Sequence, residues 1–167
     1  MKTLFYTLAL SLLTIGVLSA EEAAKVSIGD YHFALSDKWK SVEPSSPMRK
    51  ATLQITAAGF DKPLEANFFQ FGGDIDSNLA RWKGQVQGAE PKIEHTEFNG
   101  KKVTFYHAVG TYNDPFGGQG PQADYALMGA MIPVEGAGPI IIKLAGPKDA
   151  VASVSEAFRA MVSSALK

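Results

Sequence analysis

The spacing of apolar and polar positions changes several times along the chain, and each change marks an element. Residues 51–57 alternate strictly. Ala51, Leu53, Ile55 and Ala57 fall on one side, and Thr52, Gln54 and Thr56 on the other, which predicts a half-exposed strand. Residues 65–71, with Phe68, Phe69 and Phe71, predict a second strand that Gly72-Gly73 ends. The period then lengthens. Leu79, Trp82 and Val86 recur at i, i+3 and i+7, predicting a helix that runs to about Gln87, capped by Asp76 or Ser77. Asn78, Arg81 and Gln85 repeat that spacing on another face of the helix.

Asn99-Gly100 is the sharpest local signal, because Asn-Gly is the preferred two-residue type I′ hairpin turn. It joins residues 92–98 to 101–112, and paired residue numbers then sum to 199. Ile93 lies opposite Tyr106 and His95 opposite Thr104. Val103, Phe105, His107 and Val109 point to the other face, so both faces of this hairpin are predicted to be partly covered. A shorter hairpin is predicted at residues 25–28 and 31–35 around Gly29-Asp30. Residues 125–134 and 140–144 are near-continuous apolar runs joined by a tight loop, as in central strands buried on both sides. A last helix starts near Pro147, which suits a first helical position. Val151, Val154, Phe158, Met161, Val162 and Ala165 form its stripe. This order predicts an α+β fold: an antiparallel sheet of about six or seven strands with helices packed on its faces.

The first twenty residues stand apart. Lys2 precedes an apolar run from Leu4 to Leu18, diluted by Thr7, Ser11 and Thr14. Ser19, Ala20 and the acidic pair Glu21-Glu22 follow. This is the order of a secretory signal peptide, and the run is shorter than the ~20 apolar residues of a membrane span. Cleavage after Ser19 or Ala20 leaves residues 21–167 as one domain. The expected destination is the periplasm or the medium, with no stable membrane span after cleavage.

Composition narrows the function. The chain of 167 residues carries 16 Lys+Arg against 17 Asp+Glu, and 46% of its residues are hydrophobic. That is too apolar and too balanced for a disordered chain, and it lacks the basic excess of a nucleic-acid binder. The absence of cysteine removes disulfides, zinc–cysteine sites and thiol nucleophiles. In the predicted register His95 and His107 project to opposite faces and cannot share a metal ion. Asp74, Asp76 and Asn78 open like a calcium loop, but Leu79 stands where a Gly is needed and Gln85 where a bidentate Glu is needed. The glycine-rich stretch 116–121 is followed by a strand rather than a helix, so it is neither a phosphate loop nor a dinucleotide fingerprint. No G-x-S-x-G elbow is present. No metal and no cofactor are therefore expected. The residues with most to offer a ligand or partner are Asn78, Arg81 and Gln85 on the helix, and Asn113, Phe116 and Gln119 in the loop of residues 113–122. Trp82 is expected to anchor the helix to the sheet.

The stretch Asn78-Leu79-Ala80-Arg81-Trp82-Lys83-Gly84-Gln85 looks like a group of exported bacterial proteins without assigned activity. Leu144-Ala145-Gly146-Pro147 with Phe158 strengthens the likeness. Over roughly residues 26–166 the element order resembles the PsbP-like fold, named for an extrinsic subunit of the photosynthetic oxygen-evolving complex. Relatives of that fold include a nuclear-import factor that binds a small GTPase. The resemblance implies an α/β/α sandwich around an antiparallel sheet, and a binding or assembly role rather than catalysis. No residue through which either relative acts is matched here, so none is carried over, and a photosynthetic role is not supported. The leading expectation is an exported, non-catalytic binding module whose partner is an envelope protein or small ligand. The alternative is a small envelope hydrolase with a dispersed carboxylate or histidine site. It requires a deep pocket holding at least two perturbed titratable groups.

Overall fold

In a computed structural model, which describes residues 24–88, 90–114 and 120–167, the long apolar runs pair at the centre of one sheet. The strands are β1 (Lys25–Ile28), β2 (Tyr31–Ala34), β3 (Trp39–Val42), β4 (Ala51–Ile55), β5 (Leu64–Gln70), β6 (Val86–Gln87), β7 (Lys92–Phe98), β8 (Lys101–Tyr112), β9 (Gln122–Ile132) and β10 (Ile140–Pro147). The helices are α1 (Ile75–Gln85), between β5 and β6, and α2 (Lys148–Ser164). The main sheet has eight strands in the order β3-β4-β5-β10-β9-β8-β6, with β7 pairing along the other part of β8, while β1 and β2 form a separate hairpin. All pairings are antiparallel. The chain has the α+β architecture that its periodicities predict, with more strands than expected.

The β7–β8 hairpin has the predicted register, Ile93 opposite Tyr106 and His95 opposite Thr104. Its turn is built from Asn99 and Gly100, both at positive φ (51° and 80°), as a type I′ turn demands. Four details differ from the sequence-based expectation. Trp39–Val42 is an edge strand paired with β4, although its four residues are too few to show a period. The side chain capping α1 is that of Asp74, whose carboxylate accepts the Ser77 N–H at 2.7 Å. The helix stops at Gln85, and Val86 and Gln87 turn into a strand against Tyr112 and Thr111. The last helix begins at Lys148, while Pro147 ends β10 and serves as the N-cap residue.

Two cores lie on opposite faces of the sheet. On one, α2 and the β1–β2 hairpin close over Phe68, Ile140, Ile142, Ala130 and Ile132. On the other, α1 sets Trp82 among Tyr106, Leu127, Met131 and Ile141. Gly129 provides the seat: a Cβ there would lie 2.1 Å from the Trp82 ring. Only a residue without a side chain lets the indole lie on the strand, edge-on to Tyr106 at 5.4 Å.

Candidate binding surface beside helix α1

Helix α1 does not cover its whole face of the sheet. It packs over β8 and β6, and Gln54 of β4 and alternate residues of β5 and β10 are left half-exposed beside it. Register places Thr52, Asn67, Lys143, Gly129 and Tyr106 in one row across this face. The row begins polar at β4 and ends under Trp82. The floor beyond the helix therefore carries Gln54, Glu65, Asn67 and Lys143. Arg81 and Gln85 stand on α1 above it, four residues apart and so on one helix face.

Lys143 is the centre of this surface. Its ammonium donates to Gln85 Oε1 at 2.7 Å and sits 5.2 Å from the centroid of the Tyr112 ring. Tyr112 in turn stacks on Tyr125 with centroids 6.4 Å apart. Burial pushes the Lys143 ammonium down to about 8 from the ordinary 10.5, with the Arg81 charge adding to the fall and the Asp114 carboxylate opposing it. Burial, assisted by Asp114, raises the Tyr112 hydroxyl. Removal from water raises Tyr106 to about 12, and its hydroxyl has no partner among the described residues.

Some other cations of the molecule are paired with carboxylates. Arg49 meets Glu65 at 3.2 Å, Lys148 meets Asp124 at 2.8 Å, and Arg159 meets Glu94 at 2.7 Å. Among the described residues neither Lys143 nor Arg81 has such an ion pair. The Arg81 guanidinium instead rests 5.5 Å from the Phe71 ring centroid and donates to Asn78 Oδ1.

The structure treats the residues expected to contact a ligand differently from one another. Arg81 is exposed. Asn78 is 2% exposed and Gln85 9%, so this face of α1 is not the solvated one its polarity suggests. Asn78 works inside the helix: its amide donates to the Asp74 carbonyl at 2.7 Å. That bond and the Asp74 cap also explain the calcium-loop-like spacing. Gln85 and Asn113 are brought together, because the Asn113 N–H donates to the Gln85 carbonyl at 2.8 Å. The helix end and the start of the 113–122 loop thus form one corner. Phe116 and Gln119 lie outside the described residues. Lys143 was not among the candidates, although a single Lys inside Ile-Ile-Ile-Lys-Leu-Ala-Gly was a signal that could have found it.

The chemistry that a hydrolase requires is dispersed. Two open grooves lie among the described residues. One of about 400 Å³ lies by Tyr31, Lys101 and Glu135. Another of about 470 Å³ is lined by Asp76, His95, Glu97, Lys102 and Thr104. In the latter His95 Nδ1 and Thr104 Oγ1 are 3.0 Å apart, a cross-strand pair with Thr104 buried. Lys143, Tyr106, Tyr112 and His107, whose titration is displaced by burial, line neither groove. His107 is opposite Lys92 on the other face from His95. Among the described residues no cluster of three His, Cys, Asp or Glu is placed to hold a metal, and no helix is long and apolar enough to cross a membrane.

Layers, strand order and helix placement can be compared with solved structures. The chain is similar to the solution structure of cyanobacterial PsbP from Synechocystis sp. PCC 6803, with a TM-score of 0.53 over 92% of this chain and 95% of that one. This chain has the PsbP-like fold. Sequence identity to that protein is 17%, so the PsbP likeness is one of architecture. No family model and no curated protein matches the chain.

Proposed function

We propose that this protein is an exported, non-catalytic binding module of the cell envelope, and that it engages a partner protein through the open floor beside α1. The observation that carries this reading is the Lys143–Gln85–Tyr112 cluster. A half-buried ammonium costs free energy unless it is paired, yet here it sits at the edge of an open polar floor, and among the described residues no carboxylate is hydrogen-bonded to it. Small-molecule sites are enclosed and bury most of their ligand. The grooves here are open, and the floor continues across three strands, which suits a macromolecular surface. The separation of displaced titratable groups from either groove speaks against the hydrolase reading. The signal-peptide pattern of the first twenty residues supports export.

The test is site-directed photo-crosslinking in the envelope of cells expressing the full chain. Crosslinkers at Gln54 and Arg81, on the open floor, should trap one stoichiometric partner. A crosslinker at Ala152, on the exposed side of α2, should not. Equal trapping at all three positions, or none at any, would overturn the reading. Fractionation of the same cells tests export: the bulk of the protein retained in the cytoplasm would refute it.

A further inference from the structure

Granting the open floor as the binding surface, its charge identifies what it binds. We infer that an acidic segment of the partner protein docks there, one carboxylate of which takes the remaining donors of the Lys143 ammonium while Arg81 faces the same segment from α1.

An ammonium has three N–H donors. Among the described residues Lys143 uses one on Gln85 and leans the rest of its charge on the Tyr112 ring. Its cross-strand neighbours on the two flanking strands are Asn67 and Gly129, so neither residue directly opposite it is charged. Asp114 is the one carboxylate whose field favours the charged lysine, and Arg81 acts against it. Glu65, on the same floor, is engaged by Arg49 at 3.2 Å and by Gln54 at 3.3 Å. Among the described residues Lys143 therefore has one carboxylate acting for its charge, one cation acting against it, and no carboxylate bonded to it. The half-exposed rings of Phe69 and Phe71 border the floor, with Arg81 over Phe71. An extended acidic segment can lay apolar side chains on these rings and its carboxylate on Lys143. A charge-assisted hydrogen bond is about twice as strong as a neutral one, so a carboxylate suits this donor better than an amide does. Its arrival also favours the protonated lysine, so binding draws in a proton near pH 8 and weakens as pH rises past that point.

The probe is a short, end-blocked peptide of alternating Ser and Glu. It is compared with the same peptide carrying Gln for Glu, and with acetate at equal carboxylate concentration. The protein, expressed from its full chain, is labelled to observe the Lys143 Cε and the Gln85 side-chain amide by NMR. The Glu peptide should shift both signals saturably and raise the Lys143 titration midpoint. The Gln peptide should bind about tenfold or more weakly, the fold-change expected for losing a charged hydrogen bond. K143M, a variant of similar volume, should abolish the preference for Glu over Gln while keeping the native amide spectrum. Equal binding of the two peptides, no response to the Glu peptide, or a K143M protein that still prefers Glu would each overturn the inference. Acetate reproducing the full response would assign the site to a free organic anion and overturn the partner-segment assignment. Floor crosslinks that persist while the Glu peptide fails would leave the binding reading standing and remove only its acidic chemistry.

Discussion

Replacing Gly129 by alanine tests the link between sheet and helix most directly. The added Cβ would fall 2.1 Å from Cζ3 and 2.2 Å from Cη2 of Trp82, with Cε3 at 3.1 Å. The indole must then lift off β9, and Tyr106, edge-on at 5.4 Å, blocks part of its escape. Overpacking a core costs about 1–3 kcal/mol, and a lost edge-to-face contact about 0.5–1.5 kcal/mol more. The expected destabilisation is about 3 kcal/mol, or a fall in Tm of roughly 10 °C for a domain of this size. Urea unfolding followed by circular dichroism measures it, in wild-type and Trp82→Leu backgrounds. With the ring gone the new methyl has room, and the cost of Gly129→Ala should drop by about 2 kcal/mol, a coupling typical of residues in contact. Equal cost in both backgrounds would refute the seating argument. So would a cost below about 0.5 kcal/mol in the wild type, the range of an ordinary surface change.

Four further outcomes are expected. Between pH 8 and 10.5 the unfolded chain holds a proton at Lys143 that the folded chain has lost. Stability from this group therefore rises with pH across that window, and chemical unfolding at stepped pH should show Lys143→Met without that rise. Tyr106→Phe removes a buried hydroxyl without a described partner and should leave stability unchanged or raise it by up to about 1 kcal/mol. It should also remove part of the stability lost above pH 10, because a hydroxyl raised to about 12 keeps its proton in the folded state while the unfolded state releases its own. Gly100→Ala, at a φ of 80°, should cost about 1 kcal/mol in a denaturant titration. Gly110→Ala brings a methyl to 2.2 Å from the Gln87 carbonyl oxygen, so the amide signals of β6 and the Gln85 corner should shift by NMR while those of α2 stay in place.

What the sequence discloses is what local chemistry controls. Asn99-Gly100 dictates a turn, the turn dictates a register, and the register holds along seven pairs. The Leu79/Trp82/Val86 stripe is visible because a helix repeats every 3.6 residues. The rest depends on partners far away in the chain. Trp39–Val42 is a strand because β4 pairs with it, which four residues cannot announce. Thr52 is buried because its hydroxyl meets Asn67 Oδ1 at 2.9 Å on the next strand, so the strict alternation in β4 does not translate into a dry and a wet face. Gln85 is buried because Lys143, 58 residues away, donates to it. The candidate surface was half legible: Arg81, Gln85 and Asn113 could be picked out by position, whereas Lys143 was hidden among isoleucines.

The two cores differ in how they are tied to the rest of the chain. Residues on α2 are bound to a large apolar cluster and continue directly from the central strand β10. The α1–β6 segment is held by the smaller cluster and bounded by Gly73 and Gly88, both at positive φ (102° and 94°). These two glycines are natural pivots, so the segment between them is expected to open as one unit. Lifting it wets Trp82 and frees Lys143 from Gln85 while the sheet and α2 stay folded. Amide exchange should therefore report α1 opening well before the central strands. A partner gripping the floor beside α1 would act as a latch, slowing that exchange and restoring the basicity of one lysine in the same step.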